Sequence, residues 1–135
     1  MICMWEADLK LGLSTEFIIF NEFLTKYPKA ERKEGYFKEY DFTTGEFEVE
    51  VKHDQRANDT GNICIETSVN GIPSGITTTT AKYWVFYINH KETRIATPQE
   101  ILEMPHKRIT FTIKGNVVEA LLIKKELIPI MSRIP

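Results

Sequence analysis

Cysteine is scarce in this chain of 135 residues, which contains only Cys3 and Cys64. Two cysteines so far apart exclude a disulfide scaffold and a cysteine zinc site, so we expect a reducing, cytoplasmic environment. Apolar runs stay well below the roughly 18 residues of a membrane span, and Glu6, Asp8 and Lys10 interrupt any signal-peptide core. The sequence therefore predicts a soluble cytoplasmic protein with no membrane partner.

A strong charge of either sign is also missing. The 17 lysines and arginines nearly balance the 19 aspartates and glutamates, which leaves a net charge of −2. This balance argues against a protein whose main task is to coat nucleic acid. It is compatible with an enzyme that acts on nucleic acid, because metal-dependent sites are themselves built from carboxylates. Hydrophobic residues at 42% and charged residues at 27% are typical of a globular protein and exclude a disordered, collagenous or coiled-coil chain.

Signatures of several other chemistries are lacking. His90 and His106 have neither HxxxH nor HxH spacing, so a zinc site is not indicated. The chain has no GxGxxG or GxxxxGK[ST] motif for nucleotides. Ser74-Gly75 lacks the GxSxG setting, and Cys64 is typical of a buried strand, so a serine or cysteine nucleophile is not indicated. We find no repeat or linker, which favours a single domain over residues 1–135.

Hydrophobic periodicity predicts an α/β domain with a mixed β-sheet flanked by helices. The predicted helices span 14–27 and 98–104, and Thr97 opens the second of them. Two strands over 35–42 and 46–53 form a hairpin, a loop follows over 53–62, and further strands are predicted over 63–69, 82–88, 93–96 and 108–114. The segment over 117–130 fits helix or strand equally. Ser14 or Thr15 is the expected N-cap of the first helix, and Pro28 its stop. The apolar run over 82–88, with Trp84, is typical of a strand covered on both faces.

Two carboxylates and a lysine are predicted to converge at the hairpin. Strand alternation places Glu50 and Lys52 on one face, about 7 Å apart, and the hairpin brings Asp41 close to Glu50. One or two carboxylates hold Mg²⁺ in many proteins, and a neighbouring lysine orients water or stabilises developing charge. The alternative is a solvated hairpin face with charges of both signs, because E-x-K is common by chance.

Glu16 is a third acidic candidate. It falls within the apolar face of the first helix, which centres near Phe20 and Tyr27, whereas Glu22 falls on the opposite side. A carboxylate on a buried stripe needs a partner or a metal. Two interpretations remain open: an acid that points into the sheet, or a first-turn residue that interacts with the helix N-terminus.

Asp41, followed after eight residues by Glu50-Val51-Lys52, resembles the D…(D/E)xK signature of the PD-(D/E)xK nuclease superfamily, although Tyr40 replaces the proline. The predicted order over residues 14–88 is similar to the core of its restriction-endonuclease-like fold, a helix, three strands, a helix and a further strand. Glu16 resembles the first-helix acid of Holliday-junction resolvases. The segment over 62–88 is similar to small nuclease-like proteins of bacterial and viral origin.

The resemblance implies a nuclease that hydrolyses DNA phosphodiester bonds with Mg²⁺ or Mn²⁺, in branched or duplex DNA, as a homodimer. It implies that Asp41, Glu50 and the Val51 carbonyl bind the metal with assistance from Glu16. It also implies that Lys52 is catalytic together with Asp41 and Glu50. Two alternatives stay open: a protein that keeps the fold but serves as a DNA-binding or assembly module without catalysis, and a small α/β interaction domain in which E-x-K is a coincidence.

Four further residues are expected to contact the substrate: Glu66, Ser74, Thr77 and Lys82. Glu66 shares a polar strand face with Cys64 and is equally well a surface charge. Ser74 and Thr77 lie where a short helix would offer hydroxyls to a phosphate, but a run of four threonines fits an exposed loop or strand edge at least as well. Lys82 precedes the central strand, near the expected site.

Overall fold

The computed structural model of the chain describes residues 6–35 and 39–135, with side chains from Ser14 onward. Its helices are α1 (Glu6–Leu24), α2 (Ala57–Thr60) and α3 (Pro98–Glu103), and two single 3₁₀ turns span Gly75–Thr77 and Lys125–Leu127. Its strands are β1 (Glu31–Arg32), β2 (Phe42–Thr43), β3 (Glu48–His53), β4 (Asn62–Val69), β5 (Ile72–Pro73), β6 (Tyr83–Asn89), β7 (Glu92–Ala96), β8 (Lys107–Ile113) and β9 (Asn116–Lys124). The chain is thus a mixed α/β protein, as predicted.

The strands form two sheets rather than one. The first is mixed, in the order β1-β2-β3-β6-β7, with β3 and β6 parallel and the other neighbours antiparallel. The second is antiparallel, in the order β5-β4-β9-β8. Helix α1 packs Ile19 and Phe23 on one face of the mixed sheet, against Phe42 and Val49. A second core joins the opposite face of that sheet to the antiparallel sheet.

Strand β6 lies at the centre of this three-layer arrangement. Trp84, Phe86 and Ile88 point into the core between the two sheets, where they meet Ile65 of β4. Val85 alternates to the other face and packs beneath α1. All four β6 side chains are almost fully buried. The prediction of a strand covered on both faces is therefore confirmed.

Local signals predicted several elements well. Strands β3, β7 and β8 lie within one or two residues of their predicted bounds. The turn before β3 contains Gly45 with a φ of 96°, as the hairpin prediction requires. Helix α3 begins after Thr97, whose hydroxyl accepts from the Glu100 N–H while the Glu100 carboxylate accepts from the Thr97 N–H. This reciprocal cap explains why so short a helix has a defined start.

Other predictions were wrong. Helix α1 begins at Glu6, so neither Ser14 nor Thr15 is its N-cap, because the preceding segment is rich in good helix formers. The strand expected over 35–42 reaches only β2 in the described part, and residues 36–38 of that prediction lie outside it. The loop expected over 53–62 contains α2. Strand β4 forms as predicted but joins the antiparallel sheet with β9, which resolves the ambiguous C-terminal segment as a strand.

Within the described ranges, no helix is both long and apolar enough to pass through a membrane.

Glu92 connects the edge of the mixed sheet to the turn that follows β9. Its carboxylate accepts from Arg94 Nε at 2.7 Å and from Lys125 Nζ at 2.8 Å. These two bonds lower the pKa of Glu92 below its ordinary value of 4.5. The folded state therefore favours the charged carboxylate.

We expect Glu92→Gln to lower the free energy of unfolding by about 0.5–1 kcal/mol near pH 7. Because the folded-state pKa is lowered, this stabilisation is present above 4.5 and is lost as the pH falls through the folded-state value. Urea denaturation at about pH 7 and about pH 3 measures the difference. Glu126→Gln, an exposed change in the same turn, is the control. Equal losses for Glu92→Gln at both pH values would contradict this account.

Candidate functional site

A cleft of about 340 Å³ lies between β3 of the mixed sheet and β4 of the antiparallel sheet. Its lining combines charged, hydroxyl and aromatic groups: Glu39, Glu50, Lys52, Cys64, Ile65, Glu66, Gly75, Thr78, Thr79 and Trp84. Three of the residues predicted from sequence, Glu50, Lys52 and Glu66, therefore share one cavity. The hairpin contributes the first two, and β4 contributes the third.

Glu50 and Lys52 form the charged wall of the cleft. Because Val49 and Val51 pack toward α1, strand alternation directs Glu50 and Lys52 to the opposite face, as predicted. Lys52 Nζ lies 3.8 Å from Glu50 Oε1 and 5.0 Å from the centre of the Trp84 ring. Both charged side chains are only about one-sixth exposed, at 17% and 15%. The ammonium group is thus held in place by a carboxylate and an aromatic face.

Asp41 lies directly before β2, where that strand begins to pair with β3. Its Oδ2 accepts a hydrogen bond of 2.6 Å from the Val51 N–H, and its own N–H donates to the Val49 carbonyl. The N–H and C=O of a strand residue point toward the same neighbouring strand. The Val51 carbonyl is therefore directed toward the side of β3 on which Asp41 lies. Asp41 is 7% exposed and does not line the cleft itself.

The opposite wall is the segment after β5. Ser74 Oγ donates to Glu66 Oε2 at 2.8 Å, and the Ser74 N–H donates to the Thr67 carbonyl. Gly75 has a φ of 57° and lies so close to β4 that a Cβ atom there would be 2.3 Å from the Glu66 carbonyl oxygen. Thr79 continues the wall, because its hydroxyl accepts from Trp84 Nε1 at 3.0 Å. Hydrogen bonds and close backbone packing thus fix this wall to both sheets.

Asp54 lies outside the cleft lining but connects the strands that form the cleft. Its carboxylate accepts from the N–H of Ala57 at the start of α2 and from the N–H of Cys64 on β4, both at 3.2 Å. Burial raises the pKa of Asp54 above its ordinary value, against the opposing effect of these hydrogen bonds. Asp54 therefore ties the end of β3 to β4, next to the half-buried Cys64.

The structure does not bring Glu16 into the cleft. Glu16 lies on α1, on the opposite face of the mixed sheet from Glu50, and is 3% exposed. Its carboxylate accepts from Arg32 Nη2 at 3.1 Å, and the Arg32 guanidinium stacks on the Phe17 ring. Burial on the helix stripe was predicted, whereas a first-turn position was wrong because α1 begins at Glu6. The ion pair with Arg32 supplies a partner that a buried carboxylate needs.

Three of the four expected substrate contacts do not line the cleft. Lys82 is exposed directly before β6, outside the cleft lining. Its Nζ lies 5.4 Å and 5.6 Å from the ring centres of Phe47 and Tyr83. The Thr77 hydroxyl lies within hydrogen-bond distance of two backbone carbonyls, 2.8 Å from that of Thr67 on β4 and 2.7 Å from that of Ser74. Ser74 reaches the cleft only through Glu66. These residues shape the surroundings rather than the cavity surface.

Sequence reasoning missed several residues of the cleft. Cys64 was assigned to the buried side of a strand, but it is half-buried and lines the cavity. Glu39 and Thr79 carried no local signal, because their positions depend on tertiary packing. Asp54 did carry one, since an aspartate commonly accepts a hydrogen bond from a backbone N–H a few residues later in the chain, as it does here from Ala57.

The oxygen donors near the hairpin suit a hard divalent cation. The Asp41 and Glu50 carboxylates and the Val51 carbonyl offer only oxygen, which Mg²⁺ and Mn²⁺ prefer. Within residues 6–35 and 39–135, no three acidic, histidine or cysteine side chains gather as a ready metal site. Mg²⁺ commonly uses one or two protein carboxylates and keeps several waters, so this donor set fits it.

No family model matches the chain, and neither the curated proteins nor the solved structures contain a significant match to it. The functional interpretation therefore depends on the residues and the geometry of the cleft.

Proposed function

We propose that this protein is a metal-dependent nuclease that hydrolyses DNA phosphodiester bonds at the cleft between β3 and β4. The observation that carries the proposal is the pair Glu50 and Lys52, side by side in this cleft, with Asp41 bound to the intervening Val51. Two neighbouring carboxylates and a cation at one hairpin are groups that suit metal-dependent phosphodiester hydrolysis.

The fold proposed for this core is restriction-endonuclease-like. Its support is the order of α1, the β2–β3 hairpin and β6, with β6 parallel to β3 and α1 packed across both strands. The antiparallel sheet is then an addition that closes the second face of the core. In this arrangement the hairpin carries the chemistry, and the antiparallel sheet supplies the opposite wall of the cleft.

Asp41, Glu50 and the Val51 carbonyl are the residues that hold the metal in this proposal. The bound ion supplies Lewis-acid polarisation of the phosphate and an acidified water. Lys52 faces the same cleft, and its ammonium group stabilises the negative charge that develops on the phosphate. Trp84 limits the freedom of Lys52 by packing against it, and the hydrogen bond from the Val51 N–H holds the Asp41 carboxylate beside β3.

We expect the protein to nick supercoiled plasmid or cut a four-way junction with Mg²⁺ or Mn²⁺, and Glu50→Gln and Asp41→Asn each to lower the rate at least about a hundredfold. The amide of Asp41→Asn keeps an oxygen that can accept from Val51, so the hairpin should remain folded. Calorimetric titration with Mn²⁺ should show binding to the wild type that both variants weaken.

Glu48→Gln is the matched control, because Glu48 lies two residues before Glu50 on the same strand but does not line the cleft. Its cleavage and Mn²⁺ binding should match those of the wild type. Failure of the wild type both to cut and to bind Mn²⁺ would contradict the proposal. That result would favour the DNA-binding or assembly module without catalysis.

A further inference from the structure

Strand β8 is the outer strand of the antiparallel sheet, and among the described strands it pairs only with β9. The other edges of the two sheets are protected. Strands β1 and β5 have only two residues each, and β5 includes Pro73. Strand β7 is covered by the C-terminal segment, where Ile95 N–H donates to the Pro129 carbonyl and Met131 N–H donates to the Thr93 carbonyl. Long unprotected edges are uncommon because they pair readily with other chains.

The turn between β8 and β9 determines which groups of β8 face outward. Lys114 and Gly115 both have positive φ angles, 47° and 80°, as in a two-residue type I′ turn. The pair that closes such a turn, Ile113 with Asn116, is hydrogen-bonded, and hydrogen-bonded pairs then alternate along the ladder. Every second residue of β8, counted back from Ile113, therefore points its backbone toward β9. The residues between them point theirs to the open edge.

The outward residues are Arg108, Thr110 and Thr112, and all three are exposed. We propose that this edge pairs with the β8 edge of a second copy of the chain, antiparallel about a two-fold axis at Thr110. The protein is then a homodimer with one continuous eight-stranded sheet. This inference does not depend on the proposed nuclease activity.

Self-pairing is favoured because the three outward residues are symmetric about Thr110. Thr110 pairs with Thr110 of the second copy, and Arg108 pairs with Thr112 in both directions, so all six outward N–H and C=O groups are satisfied. In the closer positions between them, Ile109 faces Phe111 of the second copy, a favourable β-branched and aromatic pair. Residues 109–113 contain no charge and no proline that would oppose this pairing.

Charge also favours the antiparallel orientation. The charged residues of β8, Lys107 and Arg108, both lie at its first end. Antiparallel pairing separates the two Arg108 positions by about 14 Å along the strands, beyond the Debye length at physiological salt. Parallel pairing would place like charges beside each other. A second copy in the antiparallel register is therefore the occupant that fits this edge.

A charge swap at Thr110 tests the two-fold register. Because Thr110 faces Thr110 of the second copy, Thr110→Glu and Thr110→Lys each place two like charges opposite each other across the interface. We therefore expect either variant alone to raise the dimer dissociation constant at least about tenfold, as measured by sedimentation equilibrium. An equimolar mixture of the two should recover the dimer. Thr110 lies opposite Glu119 of β9, so Thr110→Lys gains an opposite charge within its own chain and tests the interface even where Thr110→Glu loses stability.

Thr110→Pro and Thr110→Val complete the test. Proline removes only an outward N–H, which an edge strand tolerates, so we expect a folded monomer with unchanged circular dichroism. Valine keeps the backbone groups and the branched shape, and its dimer should persist. A wild type that stays monomeric up to its solubility limit, or a charge-swapped mixture that stays monomeric, would overturn the proposal.

Discussion

Replacing Lys52 with methionine is expected to lower the rate of metal-dependent DNA cleavage by about a thousandfold while the protein stays folded. The ammonium of Lys52 lies 3.8 Å from Glu50 Oε1 and over the Trp84 ring, so it is placed at the cleft before any substrate binds. A cation already held in place stabilises the developing phosphate charge without the cost of reorganisation. Methionine retains a flexible apolar chain that packs on Trp84 but cannot supply charge.

The measurement is the initial rate of plasmid nicking with Mg²⁺, with thermal unfolding recorded in parallel. Lys91→Met is the matched control. It is the same lysine-to-methionine substitution, at an exposed position in the turn between β6 and β7. Lys52→Arg should retain part of the activity, since it keeps the charge but changes its geometry. A Lys52→Met rate equal to that of the wild type would show that the cleavage does not arise at this cleft.

If the Lys52→Met variant cleaved DNA as fast as the wild type, the residues of this cleft would have a structural role and no role in cleavage. Asp41 is engaged by the Val51 N–H, and Glu50 by Lys52, in the structure itself. A protein that only binds a partner could use both contacts to hold the hairpin together. The Mn²⁺ titration is therefore as important as the cleavage assay. Metal binding requires the carboxylate oxygens of Asp41 and Glu50, whereas contacts that only hold the hairpin together do not produce metal binding.

Local patterns predicted the part of the site that lies on one strand. Period-two alternation placed Glu50 and Lys52 on one face of β3, and the hairpin turn placed Asp41 on the neighbouring strand segment, close to both. The same patterns could not show that β2 begins only at Phe42, so that the Val51 N–H bonds to the Asp41 carboxylate and not to a strand partner. That contact depends on where a strand stops pairing, and no local propensity determines it.

The second sheet could not be predicted for a related reason. The apolar alternation of β4 was clear, but its partner β9 lies near the other end of the chain and was ambiguous between helix and strand. Without that pairing, the sequence predicted one mixed sheet and not two. Glu66, Ser74 and Thr77 of the opposite wall were named as substrate contacts, but the contact of Thr79 with Trp84, which attaches this wall to β6, was missed. Long-range pairing is set by the burial of Ile63, Ile65 and their β9 partners, which only the assembled core makes visible.

The largest stability effect is expected at Gly75, where the wall of the cleft approaches β4. Gly75→Ala should lower the free energy of unfolding by about 3 kcal/mol and the melting temperature by about 10 °C. An alanine Cβ would lie 2.3 Å from the Glu66 carbonyl oxygen, and the φ of 57° adds strain for any residue with a side chain. The wall must then move away from β4, which breaks the Ser74 bonds to Thr67 and Glu66.

Gly71→Ala separates the two causes of this loss. Gly71 has a φ of 78°, but a Cβ there would meet no atom within 4 Å, so only backbone strain of about 1 kcal/mol is expected. Hydrogen exchange adds a local measurement, because the Ser74 amide should lose protection in Gly75→Ala and keep it in Gly71→Ala. Equal destabilisation by the two substitutions would mean that strain alone acts at Gly75. In that case the wall of the cleft can shift without cost, and its contact with β4 does not shape the site.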